Sequence, residues 1–244
     1  MNPDQLRDYL NFYRDLGVKE IYKRASKTSR AAAATPSGAE PAREKIVLPT
    51  IQPEGDTLLK IIEDLGDCRR CRLSEGRSKI VFGSGNEQSK LVFVGEGPGA
   101  DEDAQGLPFV GRAGQLLTQM IENTASKEGI PIRRADVYIC NVVKCRPPEN
   151  RTPLPDEMEI CGEFLFRQLV TIQPRAICAL GSTAAKALLA TKEGVTRLRG
   201  KWHKWRDIPV MVTYHPSYLL RPYNQDAKRE AWEDLKKVLH FVYD

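Results

Sequence analysis

Residues 91–114 read LVFVGEGPGADEDAQGLPFVGRAG. The run LVFV has the unbroken apolar character of a strand buried on both faces, and the glycines behind it end that strand in a loop where backbone can approach a ligand closely. Three comparable runs follow: VYICNVV (137–143), AICAL (176–180) and PVMVTY (209–214). Helical patterns lie around them at 57–66, 112–126, 155–173, 182–190 and 226–242, and in the second of these Leu116, Leu117, Met120 and Ile121 share one apolar face. Apolar strands alternating with helices predict an α/β fold, a three-layer α/β/α sandwich around a central four-stranded, mostly parallel sheet. In such sheets ligands sit beyond the carboxyl ends of the strands. Here those ends carry unusual residues: GEGPGADED, NVVKCRPP, GST and YHPSYLLRP. Four loops at one rim predict an active site.

The glycine loop is not one of the familiar phosphate cradles. Its spacing is G-x-G-x-G, no Gly-Lys-Ser/Thr follows, and Glu96, Asp101, Glu102 and Asp103 would repel a phosphate. Gly95, Gly97 and Gly99 suit close backbone approach to a neutral or cation-like group instead. Asp101 and Asp103 read as solvated or helix-capping residues, and QGLPFVGRAG, without regular structure, brings Phe109 towards the same rim.

Bulk properties set wider limits. A chain of 244 residues can bury a substantial core, and its formal charge of +5 permits a polyanionic partner without demanding one. No apolar stretch approaches the roughly 20 residues that span a bilayer, and the first residues lack a signal peptide's apolar core. The expectation is a soluble cytoplasmic monomer without a membrane partner. Leu6, Leu10, Tyr13 and Leu16 predict an amphipathic helix within 1–23; the Ala-, Ser- and Pro-rich stretch 24–55 reads as a flexible linker; the regular pattern occupies 56–244. No residue pattern names a partner for the N-terminal helix.

Six cysteines in a cytoplasmic chain point to metal or redox chemistry rather than disulfides. Cys68 and Cys71 form a C-x-x-C, and Cys145 and Cys161 bracket CRPPENRTPLPDEMEIC. Pairs so spaced can set four thiolates around zinc or an iron–sulfur cluster, and spacing does not choose between them. Cys140 and Cys178 fall inside strand runs as ordinary buried residues. Arginines near the first four (Arg69, Arg70, Arg72, Arg146, Arg151) would present positive charge to a phosphate backbone. RLRGKWHKWR (197–206), with five basic residues and two tryptophans, reads either as a second backbone-binding strip or as an amphipathic hairpin with solvated lysines.

Together, CRRC, GEGPGADED with GLPFVGRAG, NVVKCRPPENRTPLPDE with its later Cys161, and TYHPSYLLR resemble the iron–sulfur (family 4) uracil-DNA glycosylases, in the family's order over residues 56–242. Ala100 departs from the acid many relatives carry. The resemblance implies a 4Fe-4S cluster on Cys68, Cys71, Cys145 and Cys161, and release of uracil from single- or double-stranded DNA by base excision. It implies catalytic roles for Glu96, Glu102 and His215. Glu96 is first choice for positioning water, and Glu102 for a pocket wall excluding thymine's methyl. Uracil would meet Gly97, Phe109 as a stacking face, Asn141 as a reader of N3–H and O4, and His215 as donor to O2. DNA would meet Arg146, Ser217, Arg221 and Leu219, the last as a wedge replacing the flipped base. Two rivals need less: a nonenzymatic metal-containing nucleic-acid-binding module has use for the cysteines and basic strip alone, and an electron carrier for the cluster alone.

Overall fold

The computed structural model describes residues 53, 55–221 and 224–244. The predicted N-terminal helix lies outside the described residues, as does the linker apart from residues 53 and 55.

Among the described residues six strands form one mixed sheet in the order β1-β3-β2-β4-β6-β5. Its centre is parallel: β2 (Leu91–Gly95) lies between β3 (Tyr138–Asn141) and β4 (Ala176–Leu180), and β6 (Ile208–Thr213) pairs with β4. These are the four strands read from the apolar runs. The expectation of a four-stranded sheet is corrected at both edges, where β1 (Ser84–Gly85) and β5 (Trp202–Trp205) add antiparallel pairs. Neither announces itself as a buried strand. β1 has two residues, and β5, WHKW, keeps one face towards solvent, as a protected edge does.

Alternation along the strands sends side chains into two cores. Val92, Val94, Cys140, Ile177 and Val212 pack on one face with residues of α1 (Leu58–Leu65), α4 (Pro155–Ile172) and α5 (Gly181–Leu189). Leu91, Phe93, Ile139, Cys178 and Met211 pack on the other with α3 (Arg112–Lys127) and α8 (Gln225–Tyr243). Helices thus cover both faces, with α2 (Ala100–Gln105), α6 (Val195–Leu198) and α7 (Pro216–Leu219) in the connections. Among the described residues no helix is long and apolar enough to cross a membrane.

The 197–206 stretch folds as α6 running into the edge strand. Trp205 stacks on Phe166 at 5.5 Å, Trp202 meets Phe241 at 4.5 Å, and Arg199 is held by Asp234. Its turn at Arg206 and Asp207 sits at the amino end of β6, away from the carboxyl rim. The hairpin alternative is the one this geometry favours.

The segment between Cys145 and Cys161 is stapled from inside. Glu157, fully buried, accepts from Arg151 at 2.7 and 2.8 Å and from the Leu154 N–H at 2.7 Å, so its carboxylate fixes the turn entering α4. The Arg151 guanidinium holds this carboxyl below the usual range, so its contribution is present above the ordinary glutamate pKa and lost as pH falls through the depressed one. Glu157→Gln should cost about 2 kcal/mol, by the loss of charged hydrogen bonds, read as a lowered urea midpoint at pH 7; an unchanged midpoint would remove the staple from the account.

Candidate active site

The carboxyl ends of β2, β3, β4 and β6 meet around a cavity of about 320 Å³, at the lower end of the ~300–1,000 Å³ usual for small-molecule sites. Glu96, Gly97, Glu102, Phe109, Asn141, His215 and Ser217 all line it, so residues far apart in the chain converge as expected.

Gly95 and Asn141 are register partners on the last rung between β2 and β3. A Cβ on Gly95 would lie 2.4 Å from Asn141 Oδ1 and 2.5 Å from the Phe109 ring, so only glycine lets those two side chains close over the strand end. Phe109 has φ 54°, the left-handed region that a bulky residue enters only under constraint. The constraint is visible. Arg134 donates to the carbonyls of Pro108 (2.7 Å) and Gly114 (3.3 Å), and a Cβ on Gly114 would overlap the Phe109 carbonyl oxygen at 1.8 Å. The ring ends buried, its centroid 5.6 Å from that of His215.

The four acids of the loop divide their work. Glu96 is half-buried at the cavity wall and accepts a hydrogen bond from Thr183 Oγ1, in the first turn of α5. Glu102 lines the cavity too, but both its oxygens are engaged: it accepts from the backbone N–H groups of Gly99 (3.1 Å), Val110 (2.8 Å) and Gly111 (2.9 Å). That carboxylate ties the start of α2 to the chain beyond Phe109. Asp103 is neither solvated nor a cap; it is buried and accepts from the Ser78 and Lys79 N–H groups. Asp101 is exposed.

Asn141 is 1% exposed, and its Oδ1 has no hydrogen-bond partner among the described residues. A buried acceptor left so costs about 1–3 kcal/mol, which a ligand N–H would recover. Opposite it, His215 Nδ1 accepts from the Ser217 N–H (3.2 Å) and lies 2.7 Å from Ser217 Oγ, leaving Nε2 to carry the ring proton. Burial pushes the imidazole down to about 4. At neutral pH the cavity therefore offers an unpaired amide oxygen, a neutral imidazole N–H, an aromatic face and a carboxylate.

Around the mouth, the chain between Cys145 and Cys161 supplies Pro147, Asn150 and Arg151, with Arg146 Nε donating to Asn150 Oδ1 at 2.8 Å. Ser217 is exposed beside the cavity, and the Arg221 guanidinium sits 5.9 Å from the Tyr218 ring. Leu219 is corrected as a wedge: it is 1% exposed, packed with Ala227 and Ala231 of α8, because α7 turns it inward. Its neighbours Tyr218 and Leu220 face outward instead. Thr183, Arg134 and Asn150 were not singled out from sequence; the GST after β4 was the one available signal for Thr183.

Cys145 and Cys161 are buried, Cys68 and Cys71 half-buried, and all four adjoin one apolar cluster. Cys145 Sγ accepts from Arg77 (3.4 Å) and Cys161 Sγ from the Lys144 N–H (3.2 Å). Among the described residues no three or more His, Cys, Asp or Glu side chains close into a metal-ligand set. Cys140 and Cys178 are buried within β3 and β4, their thiols pushed up by burial.

The parallel strand ends of a mixed α/β sheet thus gather an amide, an imidazole, an acid and an aromatic ring around one cavity. The chain belongs to the Uracil DNA glycosylase superfamily, whose profile matches residues 82–236. It is similar to the type-4 uracil-DNA glycosylase of Thermotoga maritima, 45% identical over 77% of this chain and 96% of that one. The type-4 enzymes of Archaeoglobus fulgidus and Sulfurisphaera tokodaii are each 41% identical over 75% of this chain, covering 92% and 84% of theirs.

His215 gives a direct test. Its folded pKa of about 4 lies below the ordinary 6.5, so the unfolded chain binds the extra proton between those values. Stability should fall with pH from about 6.5 to about 4, and ring NMR resonances of His215 should titrate near 4. Titration near 6.5 would mean the ring is solvated and the neutral donor assignment is wrong.

Proposed function

We propose that the protein is a uracil-DNA glycosylase of DNA repair, hydrolysing the bond between base and sugar of a flipped-out deoxyuridine and leaving an abasic site. The observation that carries this reading is the buried Asn141 Oδ1, which has no hydrogen-bond partner among the described residues and belongs to a residue lining a ring-sized cavity. A base inside a duplex is out of reach, so the nucleotide must be extruded at a cost of a few kcal/mol. Stacking on an aromatic face, worth roughly 1–3 kcal/mol per base in single-strand binders, offsets much of this at Phe109. Asn141 accepts from uracil N3–H through Oδ1 and donates to O4 through its amide nitrogen. Cytosine reverses both polarities, and the buried groups it would leave unpaired penalise it.

As the bond breaks, negative charge gathers on the departing base and positive charge on the sugar. The Nε2–H of neutral His215 donates to the O2 that gains charge. Glu96, with one oxygen held by Thr183, stabilises the cationic sugar and orients the attacking water. Glu102 acts earlier in the chain of causes, holding Gly99, Val110 and Gly111 so that Glu96 and Phe109 face the ring; Gly97 supplies close-packed backbone between them. Ser217 at the cavity, Arg146 bonded to the lining residue Asn150, and Arg221 beside Tyr218 are the residues to meet the DNA backbone.

Cys68, Cys71, Cys145 and Cys161 are the residues to hold a 4Fe-4S cluster. What supports this is the chemistry of the donors: four thiols adjoin one core, and two sulfurs already accept N–H groups of the kind that stabilise metal-bound thiolates, while among the described residues the side chains do not close into a ligand set. When bound it supplies a cross-link that orders the segment between Cys145 and Cys161 beside the cavity, since hydrolysis transfers no net electrons.

Incubated with an oligonucleotide carrying one deoxyuridine, the protein should release free uracil without cutting the strand. Asn141→Asp, which loses the donor to O4, should slow release on the order of a hundredfold and narrow the preference for uracil over cytosine. No release by a folded wild-type protein would overturn the reading. Purified without oxygen, the protein should be brown, with iron and sulfide in equal amounts; a colourless protein holding one zinc would replace the cluster with a Zn(Cys)4 site.

A further inference from the structure

Lys144 is fully buried, which for an ammonium group demands partners. Among the described residues those partners are amide oxygens rather than carboxylates. Nζ donates to the backbone carbonyl of Asn141 (2.8 Å) and to Gln168 Oε1 (2.6 Å). Gln168, buried in α4, passes the connection on: its Nε2 donates to the Phe82 carbonyl (3.0 Å) and to the Tyr138 hydroxyl (3.2 Å).

The sheet explains why this bridge lies where it does. β1 pairs with β3 only at Ser84↔Ile139 and Gly85↔Tyr138. Continued by two residues, that antiparallel register would set Phe82 opposite Asn141, but the ladder stops before reaching them. The Asn141 carbonyl is thus left at a missing rung, and one Lys and one Gln side chain span the gap that strand hydrogen bonds would otherwise fill. On its other side Asn141 is fixed by pairing with Gly95. Lys144 itself is held by its main chain: its N–H donates to Cys161 Sγ (3.2 Å) and its carbonyl accepts from Val81 (2.8 Å).

We propose that Lys144, anchored by Gln168, is a positioning residue for Asn141, holding the base-reading amide at the cavity from behind the sheet. This rests on the reading of Asn141 as the uracil reader. The bridge fixes the backbone plane from which the Asn141 side chain departs, so the unpartnered Oδ1 faces the cavity before any base arrives. It also makes amide placement sensitive to the chain carrying Cys145 and Cys161, because the same residue bonds to both.

The test uses the full chain and three variants: Lys144→Met, Gln168→Met and the double substitution. Measured are uracil release from a single-stranded oligonucleotide, inhibition of that release by free uracil, and melting temperature. Lys144→Met should lower kcat and weaken inhibition by free uracil, each about tenfold, the size expected when one buried hydrogen bond is misplaced. Gln168→Met should do the same to a smaller extent, and the double variant should be no worse than Lys144→Met, since the two act as one unit. A lowered melting temperature with unchanged uracil inhibition in the folded single variants would overturn the proposal, showing a structural bridge only. Should Lys144→Met fail to fold, Gln168→Met decides by the same readouts. Wild-type protein that releases no uracil would count against the function itself, whereas wild-type activity with unaltered variants would count against Lys144 alone.

Discussion

Gly95 and Asn141 face each other on the last rung between β2 and β3, and the absence of a side chain at Gly95 lets Asn141 and Phe109 occupy the space above it. Everything at the cavity is arranged around that close approach. The parallel register sets the end of one strand beside the end of the next, so Glu96 and the amide of Asn141 emerge as neighbours. Phe109 then closes over them in a backbone conformation it would not choose, held by Arg134 and by the space Gly114 leaves. The strain is local, and several hydrogen bonds determine it.

The acidic loop follows from the same need for rigidity. Four carboxylates after a strand look like a catalytic array, yet Glu102 and Asp103 spend their oxygens on backbone N–H groups. A loop rich in glycine leaves many donors unpaired, and carboxylates satisfy several at once without adding bulk. Glu96 alone combines a place on the cavity wall with a side-chain partner, Thr183, behind it. A similar division appears elsewhere, where the buried side chains of Glu157 and Lys144 serve as connectors near a cavity they do not line.

The central sheet was legible because strands buried on both faces must be apolar throughout, and 91–95 and 176–180 coincide with β2 and β4. The five longest helices were legible to within a residue or two, because each carries an apolar face at helical spacing. The edge strands were not, since an edge strand has one wet face and β1 has only two residues. Nor was α2, ADEDAQ, which contributes one buried residue, an aspartate, and shows no apolar face. The tryptophans at 202 and 205 invited a nucleic-acid reading, although they serve packing against Phe241 and Phe166.

From the sequence came the four central strands and five helices in chain order and the rim at which the strand ends gather; the amide, imidazole, acid and aromatic residue expected there, and the four thiols beside it, came from the resemblance to a family. The strands and helices follow from patterns a few residues long, because burial and backbone freedom act locally on residue choice. Direction and partnership were decided only in three dimensions. Whether Leu219 points out or in, whether Glu102 faces a ligand or a row of N–H groups, and why a lysine stands beside Cys145 all depend on segments distant in the chain. Such contacts leave no periodicity to read, since each is set by one long-range meeting of surfaces rather than by a repeat along the backbone.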